Sequence, residues 1–208
     1  MLLHQLFYAL MVMGVLILPG LSLSEAADRP QQLKTACEKG DVTACTSLGL
    51  LHWFGHGVKR DNIIAATLYR KGCDGGDALG CGYLGVMYAE GTGVPQNAVQ
   101  AVALYRKACN GGNGGGCFNL GAMYTEGTGV PRDPGQAVAL FKKACDGGEP
   151  KGCSKLAEMY SFSFGVKGDK TQALNYYRKA CDFKDRDACF FYEELKNRQK
   201  GREGEATY

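Results

Sequence analysis

Ten cysteines carry most of the reactive chemistry in this 208-residue chain, and they fall into five pairs of the form C-x7-C that begin every 36 residues. Thiols in such pairs either hold a metal or oxidise to disulfides. Zinc-binding pairs usually sit about two to four residues apart, and four thiolates here would have to come from two separate repeats. Disulfides are therefore expected. Of roughly 945 formal connectivities, only one repeats with the sequence: Cys37–Cys45, Cys73–Cys81, Cys109–Cys117, Cys145–Cys153 and Cys181–Cys189. Each would close a loop of about nine residues, worth about 2.5 kcal/mol by the chain-entropy model.

Other chemistry is sparse. His52 and His56 stand four apart and could share a metal on a helical turn, but His52 simply replaces a tyrosine that recurs in the other repeats. No metal site and no cofactor is expected. No Ser or Thr is followed three residues later by Lys, and neither K-T-G nor S-D-N occurs, so an acylating serine would lack its usual partners. No catalytic residue is assigned. The formal charge of +3 is too mild for a nucleic-acid binder.

The elements that position the cysteines follow from the same period. The block CDGGDALGCGYLGVMYAEGTGVPQNAVQAVALYRKA from Cys73 aligns without a gap on CNGGNGGGCFNLGAMYTEGTGVPRDPGQAVALFKKA from Cys109. Cys81, Leu84, Gly85 and Tyr88 share one helical face, as do Ala101, Leu104, Tyr105 and Ala108. Gly91, Gly93 and Pro95 break the chain between them. Each unit is thus two antiparallel helices, and because one pair cannot bury its apolar stripe alone, the pairs must stack. An all-α, right-handed superhelical α/α solenoid stapled by disulfides is expected. Glycine follows the core leucine in Leu48-Gly49, Leu84-Gly85 and Leu120-Gly121, a helix cost of up to ~1 kcal/mol that close approach of a neighbour can offset. The last block carries Tyr192, Glu193 and Lys196 in place of Leu84, Gly85 and Tyr88, which suits a polar cap.

The apolar run Leu6–Leu18, ended by Pro19 and Gly20 and followed by Ser24-x-Ala26, has the shape of a signal peptide cleaved after Ala26, although its start holds no Lys or Arg. Residues 1–26 are read as the signal, 27–198 as the solenoid and 199–208 as a polar tail. A secreted or periplasmic protein with no stable membrane span after cleavage is expected, a setting that favours paired thiols.

The string Leu84-Gly85-x-x-Tyr88-x-x-Gly91-x-Gly93-Val94, with Ala101 and Tyr105-Arg106-Lys107-Ala108 after it, resembles the Sel1-like, TPR-like helix-pair repeat. With C-x7-C added it is similar to the secreted Helicobacter cysteine-rich protein family. That resemblance implies host-interacting secreted proteins described as penicillin-binding or β-lactamase-like, and so a β-lactam or a peptidoglycan fragment as ligand besides a protein or peptide. A cysteine-rich Sel1 protein of the mitochondrial intermembrane space is also similar, which implies assembly of a metallo- or haem-protein.

A partner would meet the face opposite the packing seam. Residue 83 lies about 200° round the helix from Cys81, so Tyr83 and its equivalents Ser47, Asn119 and Lys155 are expected to face solvent and contact a protein or peptide. They differ between repeats where the core does not. The loops of the first and fourth repeats add Trp53, Phe162 and Phe164, either as exposed anchors or as rings packed under adjacent loops. A basic doublet recurs as Arg70-Lys71, Arg106-Lys107, Lys142-Lys143 and Arg178-Lys179, placed to suit the helix macrodipole or an anionic partner. A monomer is expected.

Overall fold

The computed structural model describes residues 23–205. Residues 1–22 of the expected signal and residues 206–208 of the expected tail lie outside them. The described residues form ten helices and no strand: α1 (Leu23–Glu38), α2 (Val42–Phe54), α3 (Asn62–Asp74), α4 (Ala78–Glu90), α5 (Ala98–Asn110), α6 (Gly114–Glu126), α7 (Pro134–Asp146), α8 (Pro150–Phe162), α9 (Lys170–Asp182) and α10 (Arg186–Glu205). Each packs on the next in chain order. The even-numbered helices also touch one another, α2 on α4, α4 on α6 and α6 on α8, so they line the inner side of the stack and the odd-numbered helices its outer side.

Local signals start and stop these helices. Asp41, Asp61, Asp77, Asn97, Asn113, Asp133, Glu149 and Asp169 cap α2 to α9, each side chain accepting from a backbone N–H of the first turn. That satisfies donors the helix itself leaves orphaned. The inner helices end on left-handed residues, Gly55, Gly91, Gly127 and Ser163. The N–H groups of Asp61, Asn97, Asp133 and Asp169 then donate back to the carbonyls of residues 52, 88, 124 and 160. One loop geometry is thereby stamped four times.

The glycine after the core leucine has a steric reason. A Cβ at Gly49, Gly85 or Gly121 would stand 2.7 to 2.8 Å from the ring of Tyr69, Tyr105 or Phe141 on the following outer helix. Those rings are buried in recurring clusters, with Leu84 and Met87 beside Tyr69, and Leu120 and Met123 beside Tyr105. In the fourth repeat Ala157 takes the glycine's place and is fully buried with Tyr177.

The cysteines join the last turn of each outer helix to the first turn of the next inner one. Bridges link Cys37–Cys45, Cys73–Cys81, Cys109–Cys117, Cys145–Cys153 and Cys181–Cys189, with Cα atoms 4.4 to 4.6 Å apart. The first four are buried and the fifth is half-buried. The last helix, α10, runs to Glu205 and so takes in part of the segment expected as a tail. Ion pairs one turn apart, including Glu194–Arg198 at 2.6 Å, lie on it, and such pairs support a helix with little tertiary cover.

Candidate interaction groove

Ser47, Tyr83, Asn119 and Lys155 occupy the same position on α2, α4, α6 and α8, on the inner side of the stack. All four are half-buried, so the position faces solvent only in part. The reason lies in the neighbouring side chains. Tyr83 stacks on Tyr69 with ring centroids 5.2 Å apart. Lys155 donates to Glu158 at 2.6 Å. Residues one turn to either side, such as Leu79 (41% exposed) and Val86, border this strip. The strip carries hydroxyl groups and Leu50 at α2, apolar and aromatic groups at α4, small ones at α6 and charged ones at α8, and it forms a candidate groove.

The three loop aromatics have different fates. Trp53 is half-buried and packs on Tyr69 and Tyr83, with centroids 5.9 and 6.5 Å away. Phe164 is half-buried too, beneath the Arg132 guanidinium at 5.3 Å. Both are packing residues between neighbouring repeats. Phe162 is 79% exposed, and it alone of the three stands free as an anchor would. His52 donates through Nδ1 to the Lys59 carbonyl at 3.3 Å, while His56 stacks on Phe54 at 5.6 Å. Among the described residues no three His, Cys, Asp or Glu side chains converge as a metal would need.

The basic doublet is used within the frame. Arg70 and Arg106 donate to the hydroxyls of Tyr88 and Tyr124 at 2.8 and 3.1 Å. Lys71 and Lys107 reach backwards to the carbonyls of Cys37 and Cys73 at 2.7 and 2.6 Å. In the third and fourth repeats Lys142 and Lys179 share Asp146 instead, at 2.8 and 2.9 Å. Those hydrogen bonds hold the Asp146 carboxyl below the usual carboxylate range and raise Lys142. Burial pushes Tyr105 up to about 12 and raises Tyr69 and Tyr177 as well. No phenolate forms at neutral pH.

One feature escaped the sequence analysis. Where α8, α9 and α10 meet, a cavity of about 720 Å³ opens onto the inner side, with Ser161, Phe162, Tyr177, Phe191 and Leu195 in its wall. The signal was present, since Ser161 aligns with Trp53 and Phe191 with Tyr83. No helix among the described residues is long and apolar enough to cross a membrane.

The array matches the Sel1 repeat over residues 42–77, 78–113, 115–149 and 150–182. No curated protein matches the chain. Among solved structures it is similar to a Sel1 repeat protein from Oxalobacter formigenes, at 27% identity and a TM-score of 0.73, over 78% of this chain and 65% of that one. It is also similar to c5321, a protective antigen of uropathogenic Escherichia coli with an SLR fold, at 31% identity and a TM-score of 0.75, over 81% of this chain and 36% of that one. Helicobacter pylori cysteine rich protein B aligns at 29% identity and a TM-score of 0.52, over 66% of this chain and 98% of that one. The chain thus spans somewhat under two thirds of the first of these proteins and about a third of the second. With four helix pairs matched in succession and one spacing kept throughout, the chain belongs to the Sel1 repeat family.

Proposed function

We propose that this chain is an exported, non-catalytic scaffold that holds a protein or peptide partner in the groove of its inner helices. One observation carries the reading: the residues that recur from repeat to repeat are consumed in building the frame, and those that differ line the groove. Caps, glycines, ring contacts, bridges and much of the basic doublet all serve the stack. Ser47, Tyr83, Asn119 and Lys155 do not recur, and they follow one another along a single strip. Sel1 repeats suit protein partners because stacked helix pairs offer a long concave surface.

Export rests on the bridges and the apolar leader, since paired thiols persist in oxidising compartments. The similarity to a protective antigen and to a cysteine-rich Helicobacter protein supports the same setting. No arrangement in the groove favours the peptidoglycan fragment or β-lactam implied by resemblance. Capture from native envelope extract tests the reading, with wild type beside Tyr83→Ala and Asn119→Ala. Loss of a defined partner in both variants, with folding retained, supports it; retention in both refutes it.

A further inference from the structure

The fourth joint of the array is built like the first, with one residue missing. At the first joint Trp53 lies against Tyr69 and Tyr83, which stack on each other at 5.2 Å. Three repeats on, Tyr177 and Phe191 stand in the places of those two tyrosines, with centroids 5.5 Å apart. The place of Trp53 is taken by Ser161. There the cavity of about 720 Å³ opens, within the roughly 300–1,000 Å³ range of ligand pockets. The two middle joints lack this paired floor, because the residues aligned with Tyr83 are Asn119 and Lys155.

We infer that the cavity is a socket for an aromatic side chain carried by the partner, best filled by an indole, and that Trp53 is the internal copy of its occupant. The rim suits an uncharged group. Glu158 is paired with Lys155 and Glu194 with Arg198, each at 2.6 Å, so these carboxylates and cations neutralise one another beside an apolar floor. Lys170 at the mouth adds a cation, which favours the face of a ring. Tryptophan is also among the residues enriched at the energetic centres of protein interfaces. Phe162, exposed beside the opening, is placed to cover the inserted ring. The inference deepens the groove reading by naming what its far end receives.

The test is an NMR titration of the full chain, bridges intact, with N-acetyl-tryptophanamide, against N-acetyl-alaninamide. Saturable shifts of Phe162, Tyr177, Phe191 and Leu195 with the indole alone are the expected result. Ser161→Trp should abolish them, because the new ring occupies the socket, and should raise the unfolding temperature. Phe191→Ala, which keeps Ser161, should weaken binding roughly tenfold and serves if the larger substitution fails to fold. Absent shifts, shifts spread equally over the Trp53 joint, or full binding by a folded Ser161→Trp protein overturn the inference. Because this titration needs no partner, its failure leaves the groove reading to stand or fall on Tyr83 and Asn119.

Discussion

Lys107 Nζ donates to the Cys73 carbonyl oxygen at 2.6 Å, so that this lysine caps the outer helix that precedes its own. The terminal carbonyls of a helix lack intrahelical partners and carry the negative end of its dipole. Lys71 treats Cys37 in the same way, at 2.7 Å. The cap therefore acts between repeats, beside the bridge that joins the same two turns covalently.

Removing that cap should be measurable. Lys107→Met keeps the aliphatic stem and loses the charge, and it should cost about 0.5–1 kcal/mol in denaturant unfolding. Lys143→Met is the control, because among the described residues Lys143 makes no such bond to Cys109; its loss should stay within about 0.5 kcal/mol. Equal losses in the two variants would show that the carbonyl contact contributes nothing.

The five bridges should not open together. Cys181 and Cys189 are half-buried whereas the other eight cysteines are buried, and access governs the rate of thiol exchange. Under limiting dithiothreitol, alkylation and peptide mapping should find Cys181 and Cys189 labelled first. Opening that loop of about nine residues should cost about 2.5 kcal/mol at most. Random labelling over all ten positions would contradict the burial order.

Alkaline pH should weaken the stack through its buried tyrosines. Tyr105 is raised to about 12 in the folded chain by burial, with Glu90 adding to it, against about 10 when unfolded. The unfolded chain therefore loses its proton first. Stability is full below about pH 10 and falls as pH rises towards 12, by at most about 1.4 kcal/mol per unit for each such group. Tyr105→Phe should remove its share of that slope, and Phe141 already fills the aligned position. Tyr69→Phe should do more, because the buried Tyr69 hydroxyl has no hydrogen-bond partner among the described residues, so the variant should gain about 0.5–1 kcal/mol even at neutral pH. Unfolding curves at pH 7 and above pH 10 decide both.

Periodicity made the frame readable before any coordinates. Cys81, Leu84, Gly85 and Tyr88 announce a helix face, and a spacing kept over successive blocks says that the pairs stack. Side-chain exposure was less legible. Tyr83 points away from the cysteine line as helical geometry requires, yet it is half-buried because Tyr69 of the outer layer rises to meet it, and no single-helix projection contains that neighbour. Trp53 and Phe162 show the same limit from two sides. Both lie in departures from the repeat, but Phe162 aligns with the exposed Phe54, one residue past the position of Trp53, so the phase of the helix decides which one packs. The socket at Ser161 is visible in sequence solely as a difference between distant repeats, and its meaning depends on knowing that Trp53 is packed.

The strongest test of how closely each repeat is fitted runs one substitution in both directions. At Gly121 a methyl group would stand 2.8 Å from the Phe141 ring. Gly121→Ala gains up to about 1 kcal/mol of helix propensity, but overpacking a fitted core costs about 1–3 kcal/mol, so a net loss of about 1 kcal/mol is expected. At Ala157, which is fully buried, the reverse change loses both the propensity and a packed methyl, about 1–2 kcal/mol together. If the repeats were interchangeable, one of these changes would have to stabilise the protein. Losses in both, read from the same denaturant series, mean that each ring has been set against its own small residue. A gain from Gly121→Ala would instead make the close glycine–ring contact incidental to the spacing of the helices.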